Sequence, residues 1–247
     1  MKSALNYQYK IVELYTEYMN MYGDTGNSLA LKKRFEMYGL KARIVRHDVG
    51  DKLPANIDII VAGGGQDSSQ YKVHDDLLKN GANIKEMAEA GVPMLTICGM
   101  YQLFGNYFKT IGGDTLEGIS VFDVHTIGKD ERLIGNIITE SKRFGKLIGY
   151  ENHSGQTFLG ENSTPLAERV VLGAGNNALE TSEGCVFNNA IGTYLHGPLL
   201  PKNPSIADFL IRKAVSRKVG YDVCLTSQKV RILDEIANHA RKFVAKR

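Results

Sequence analysis

Apolar and polar positions divide this chain into two unlike halves. Over the first hundred residues, short apolar runs alternate with longer segments of helical period. Ile11-Val12-Glu13-Leu14-Tyr15 reads as a strand, and Leu29, Leu31, Phe35 and Tyr38 mark a helix that stops at Gly39. Residues 41–46 alternate as a second strand. Ile57-Asp58-Ile59-Ile60-Val61-Ala62 is a third, closed by Gly63-Gly64-Gly65. A helix over about 73–89 carries Leu77, Leu78, Ile84, Met87 and Ala88, and Gly91-Val92-Pro93 leads into a fourth run, Met94-Leu95-Thr96-Ile97. Strands that alternate with helices predict right-handed βαβ units, hence an α/β protein: a three-layer α/β/α domain around a central, mainly parallel sheet. Open sheets of this kind place ligands at the carboxyl ends of their strands.

The second half is less regular and predicts mixed or antiparallel pairing. Residues 119–124, 133–138 and 145–150 read as strands, the last running into a polar loop, Glu151-Asn152-His153-Ser154-Gly155. Two helices close the chain. The final one puts Leu233, Ile236, Ala237, Ala240, Phe243 and Val244 on one face, with Arg231, Arg241, Lys242 and Lys246 as its solvated side. No repeat or low-complexity linker interrupts the pattern, so residues 1–247 are read as a single domain.

Composition narrows the function classes. The net charge of +3 is too small to argue for nucleic acid, and no basic block is interleaved with aromatics. The first ten residues lack a continuous apolar core, so no secretion signal is read there, and no apolar run approaches the roughly 20 residues of a membrane span. Three widely spaced cysteines, Cys98, Cys185 and Cys224, with no Cys-x-x-Cys pair, argue against a disulfide framework or a zinc site and for a reducing cytoplasm.

Two segments carry chemistry. The run ending at Cys98-Gly99 passes directly into a helix-like stretch, the way a strand, a tight turn and a helix are written when the turn must hold a nucleophile out of a sheet. A helix N-terminus there favours the thiolate. Far downstream, Ile191-Gly192-Thr193-Tyr194-Leu195-His196 is a second strand-like run that ends at a histidine and breaks on Gly197-Pro198. A thiol and an imidazole delivered to strand ends suggest nucleophilic attack on a carbonyl. A lone cysteine in an apolar strand is more often core filler; Gly99 and the following helix set Cys98 apart from Cys185 and Cys224, which are read as packing residues. His47, His74, His125 and His239 belong to no motif and are read as surface residues. His153 competes for the base, but His196 follows a strand and can be held rigidly, so His153 is assigned to the pocket rim. The glycine loop 63–65 is either a permissive turn or one side of an oxyanion hole completed by the Gly99 amide. Gln102, one helical turn after Cys98, is either a solvated polar residue or a hydrogen-bonding arm for substrate.

Taken together, several segments resemble the class I, Cys-His glutamine amidotransferases of the branch related to cobyric acid synthase. Within that branch they are most similar to the glutaminase subunits that work with a Mur-ligase-like synthase on lipid II. The segments are Tyr22-Gly23-Asp24-Thr25-Gly26-Asn27, Gly63-Gly64-Gly65-Gln66-Asp67, Leu95-Thr96-Ile97-Cys98-Gly99-Met100-Tyr101-Gln102, Tyr150-Glu151-Asn152-His153-Ser154-Gly155, Gly175-Asn176-Asn177 and Gly192-Thr193-Tyr194-Leu195-His196-Gly197-Pro198. The resemblance implies a flavodoxin-like core, Cys98 as nucleophile and His196 as base. It further implies Gly64 in the oxyanion hole, Arg132 on the α-carboxylate of L-glutamine, no cofactor in this chain, and ATP with magnesium on the partner. Two departures stand out. Met100 fills a position where the family often has a second glycine, and His196 is followed by Gly197-Pro198 in place of the His-Pro-Glu of many class I members. The group that orients His196 is therefore an acid elsewhere in this chain or one lent by the partner. The partner is favoured, since that arrangement would silence wasteful hydrolysis. Three rival readings stay open: a glutaminase serving another acceptor (a cobyrinate-type corrinoid or another cell-wall peptide), a Cys-His hydrolase of small substrates, and a silent binding domain.

Overall fold

The computed structural model describes residues 4–244. The first hundred residues fold close to expectation, into β1 (Gln8–Leu14), α1 (Thr25–Met37), β2 (Lys41–His47), β3 (Ile59–Ala62), α2 (Asp67–Glu89) and β4 (Met94–Ile97). The short α3 (Gly99–Leu103) follows β4 directly. Next come β5 (Tyr107–Lys109), β6 (Thr115–Glu117), the long strands β7 (Val124–Ser141) and β8 (Gly145–Leu159), then β9 (Arg169–Leu172), β10 (Cys185–Phe187) and β11 (Ala190–Thr193). Helices α4 (Leu199–Lys202), α5 (Pro204–Val219) and α6 (Gln228–Val244) complete the described chain.

The strands form two sheets. The first runs β10-β11-β4-β3-β1-β2, parallel throughout except for β10 at its edge. Every residue of β3, β4 and β11 is buried, which is why these strands read as unbroken apolar runs rather than alternating ones. The second sheet runs β6-β5-β7-β8, with β9 also paired to β7, and is antiparallel apart from the β5–β7 pair. The protein is thus α/β with a mostly parallel central sheet. Among the described residues no helix is long and apolar enough to cross a membrane.

The structure corrects four local expectations. Residues 119–123 are not a strand: the amides of Ile119, Ser120, Val121 and Phe122 bond the carbonyls of Leu103, Gly105 and Phe104, which α3 leaves open where it ends. The polar segment 151–155 is not a loop but the interior of β8. Glu151, His153 and Gly155 are buried while Asn152 and Ser154 are less so, a period-two pattern written in polar residues. Such residues can line a buried face because they are bonded: Glu151 accepts hydrogen bonds from the amides of Ala174 (2.7 Å) and Gly175 (2.9 Å). His47, read as a surface residue, is fully buried at the end of β2, with Nε2 3.4 Å from Asp76.

The fourth correction concerns α6. Its inward positions are Val230, Asp234, Ala237 and Arg241, whereas Ile232, Leu233, Ile236 and Phe243 are exposed. Polar anchors choose this orientation. The buried Arg34 of α1 donates to Asp208 of α5 (2.6 Å) and to Asp234 of α6 (2.7 Å), and Arg241 donates to the Lys146 carbonyl. Lys246, assigned above to the solvated face, lies outside the described residues, and so do residues 1–3 of the N-terminal segment.

Candidate active site

Neighbouring strands of the parallel sheet deliver the two reactive groups. β4 and β11 pair with Ile97 opposite Thr193, so Cys98 and the segment 194–196 leave the same edge side by side, and the Cys98 amide donates to the Thr193 carbonyl at 2.9 Å. Cys98 has φ 50° and ψ −110°, a conformation side chains rarely adopt, and is the residue at which α3 begins. A left-handed nucleophile between strand and helix is the strained elbow expected from the sequence. Gly99 follows where a Cβ would sit 2.9 Å from Met19 Cε and 3.2 Å from the Gly65 carbonyl oxygen, so the elbow has no room for a side chain there.

His196 is fully buried, and its amide donates to the Tyr150 carbonyl of β8 at 2.7 Å. Burial alone would push its imidazole below the ordinary value. The adjacent Cys98 sulfur, followed by the Asp24 carboxylate, outweighs that and raises it to about 10. The imidazole therefore holds a proton through neutral pH. His153 lines the same pocket as Cys98 but is held by other partners. It stacks on Tyr194 with ring centroids 3.6 Å apart, and its Nδ1 meets the Gly155 carbonyl at 2.7 Å. Cys185 is buried, which pushes its thiol up to about 12, and Cys224, read as a packing residue, is exposed.

Sequence reasoning missed Asp24. Its carboxylate is buried, with Oδ2 3.7 Å from His196 Nδ1 and accepting a 2.7 Å hydrogen bond from the Gly64 amide. An acid of this chain thus stands where the partner's was favoured. At 3.7 Å the contact is an ion pair rather than a hydrogen bond, and both ring nitrogens of His196 lack a hydrogen-bond partner among the described residues. The signal was present in Tyr22-Gly23-Asp24, quoted as a motif without a chemical role for the acid.

Gly64 also departs from its assignment. Its one amide hydrogen is given to Asp24, and the pocket beside Cys98 is lined by Gly65 instead. What requires a glycine at position 64 is close packing: a Cβ there would lie 2.7 Å from His196 Cε1 and 3.1 Å from Cys98 Cβ.

That pocket, of about 360 Å³, is lined by Cys98, Gln102, Gln70, Arg132, Asn152 and His153 among others. Arg132 arrives there through an irregularity of the β7–β8 ladder. Gly128 pairs with Gly155 and Leu133 with His153, so residues 129–132 bulge opposite Ser154 alone. The Gln102 side chain reaches the pocket but is held at both ends: Oε1 accepts from Gln70 Nε2 at 2.8 Å, and Nε2 donates to the Tyr194 hydroxyl at 3.1 Å. One amide hydrogen and one lone pair remain for a ligand. A thiol on a strained elbow, a protonated imidazole, an amide-lined wall and a guanidinium at the rim form a site suited to attack on the carbonyl of a small amino-acid-like amide.

The fold and this cysteine-histidine edge define a glutamine amidotransferase. Residues 10–204 match the model of the CobB/CobQ-like glutamine amidotransferase domain, and the chain belongs to that family. It is 39% identical over 209 residues (84% of this chain, 85% of the relative) to the lipid II isoglutaminyl synthase (glutamine-hydrolyzing) subunit GatD of Staphylococcus aureus. To the subunit of the same name from Streptococcus pneumoniae it is 36% identical over 234 residues, 94% of this chain and 90% of that one. A solved glutamine amidotransferase of Thermotoga maritima shares the fold, with a TM-score of 0.53 at 17% identity over 96% of this chain and 94% of the other.

Proposed function

We propose that this enzyme is the glutaminase subunit of a lipid II isoglutaminyl synthase. The observation that carries the reading is its near full-length similarity to two GatD subunits, on a site whose Cys98 and His196 meet at one sheet edge. L-glutamine would enter the pocket with its α-carboxylate on Arg132. The Cys98 sulfur, its proton passed to His196, attacks the side-chain amide carbon, and the carbonyl oxygen takes up negative charge facing the amides of Gly99 and Gly65. His196 gives its proton to the departing nitrogen, ammonia leaves, and a γ-glutamyl thioester remains. Water, giving a proton back to His196, attacks the thioester and releases glutamate, and the sulfur leaves as the thiolate that faces the imidazolium. Asp24 keeps the imidazolium favourable during both steps.

The ammonia would pass to a separate Mur-ligase-like subunit that holds ATP and magnesium and activates the D-glutamate α-carboxylate of the lipid II stem peptide, giving D-isoglutamine. The test is to purify the chain with the synthase encoded beside it and supply glutamine, ATP, magnesium and lipid II. Release of glutamate and a lipid II with one carboxyl converted to an amide, read by mass spectrometry, is expected. Glutamine hydrolysis with no amidated lipid II, but transfer to a corrinoid acid, would move the enzyme to the other acceptor class.

A further inference from the structure

Tyr22 has no part in the mechanism above, yet it touches both halves of the site. Its backbone is left-handed (φ 59°, ψ 17°), a conformation that bulky residues seldom adopt and that persists where surrounding structure enforces it. Here the enforcement is visible on both sides of the residue: the Met21 amide donates to the Gly64 carbonyl at 2.9 Å, and the Thr25 amide donates to Asn20 Oδ1 at 2.9 Å. The same short loop therefore brings two residues to His196. The Asp24 carboxylate lies 3.7 Å from Nδ1, and the Tyr22 ring stands edge-on to the imidazole with centroids 5.0 Å apart.

The far end of Tyr22 points to the substrate clamp. Its hydroxyl accepts a hydrogen bond from Asn152 Nδ2, and Asn152 Oδ1 accepts one from Arg132 Nε at 2.5 Å. Arg132 is an exposed side chain on a bulge, and among the described residues its one hydrogen bond is the one to Asn152. With Nε held, its two terminal nitrogens remain free as a planar fork, the geometry that grips a carboxylate through two parallel hydrogen bonds. We propose that Tyr22 is a positioning residue that joins the base to the clamp: its ring packs against His196, and its hydroxyl, acting through Asn152, sets the Arg132 fork for the α-carboxylate of glutamine. This rests on the glutaminase reading and adds to it the means by which the clamp is aimed.

Glutaminase kinetics of the full chain, with its synthase subunit present throughout, test the relay. Tyr22→Phe keeps the ring and removes the hydroxyl, so KM for glutamine should rise about 3- to 10-fold, the worth of one hydrogen bond, with kcat changed less than about 2-fold. Asn152→Ala should raise KM at least as much. Because both changes cut one chain of contacts, the Tyr22→Phe/Asn152→Ala double variant should be no worse than Asn152→Ala alone. Tyr22→Ala, which also strips the ring from His196, should lower kcat as well. A destabilised fold would not separate KM from kcat in this way, and thermal melts of Tyr22→Phe should match wild type. The relay is overturned if Tyr22→Phe leaves KM unchanged while Arg132→Ala raises it, or if the two single effects multiply in the double variant. If the wild-type complex releases no glutamate, or Arg132→Ala leaves KM unaltered, the underlying assignment of the site fails instead.

Discussion

The edge of the parallel sheet and the β7–β8 hairpin build one pocket by opposite means. At the sheet edge, Cys98 and His196 are fixed by backbone: a strained elbow, two adjacent parallel strands, and a glycine whose missing side chain lets the pair approach. On the hairpin, Arg132 is an exposed side chain on the β7 bulge and Asn152 a partly exposed one on β8, and hydrogen bonds join them to each other and to Tyr22. The difference teaches where each kind of function lives. In the proposed mechanism, chemistry falls to buried residues fixed by backbone, and substrate recognition to exposed side chains. Substitutions at the sheet edge should stop turnover, whereas those on the hairpin should change how much glutamine is needed.

The largest effect should come from Cys98→Ala, which removes the attacking sulfur: glutamate release is expected to fall to background with the fold intact. Imidazole titration by NMR adds a second readout. The sulfur makes the largest raising contribution at His196, so in Cys98→Ala its proton should be lost well below the wild-type value of about 10. A glutamine analogue with an electrophilic ketone should label Cys98 and spare both the buried Cys185 and the exposed Cys224, which lies outside the glutamine pocket. Near wild-type turnover by Cys98→Ala would end the account of the sheet edge.

Asp24→Asn comes next. It should lower kcat about 10- to 100-fold, less than the roughly 10⁴ of a hydrogen-bonded triad aspartate, because the contact to Nδ1 is 3.7 Å. It should also move the His196 titration downward, since a raising charge is lost. Unchanged kcat in the assembled complex would return the orienting role to an acid of the partner subunit.

The smallest expected effect is on stability. Glu183 is fully buried behind β11, its Oε1 accepting from Thr193 Oγ1 and the Tyr194 amide, both at 2.8 Å. Burial raises its carboxyl from 4.5 to about 8 despite those bonds. The folded protein then holds a proton that the unfolded chain has released, so between pH 4.5 and 8 this group makes stability fall as pH rises. Denaturant midpoints should show wild type losing ground to Glu183→Gln across that window, and parallel pH profiles would show that the carboxyl is not held neutral.

Much of this was readable in advance, and the failures share a cause. The βαβ order of the first hundred residues and the elbow at Cys98 were legible because apolar strands buried on both faces leave a continuous run, and because a nucleophile elbow is complete within a few residues. The loop assignment for 151–155 failed because hydropathy cannot see that Glu151 and His153 are buried with bonding partners. The final helix failed for the same reason in reverse: its apolar stripe was plain, but the ion pair from Arg34 to Asp234 holds the polar side of α6 inward and leaves that stripe exposed.

Short-range pattern was enough to specify the α/β class, the strand-turn-helix holding Cys98, and the strand that ends near His196, since each is encoded over a handful of consecutive residues. Only the folded chain decided which acid stands beside His196, that the Gly64 amide is spent on that acid, and that Arg132 is aimed through Asn152 by a tyrosine 130 residues from that asparagine. Those contacts depend on which side chains two distant segments present to each other once the sheets have formed. Hydrophobic periodicity records burial along a segment and carries no information about its partner across the fold.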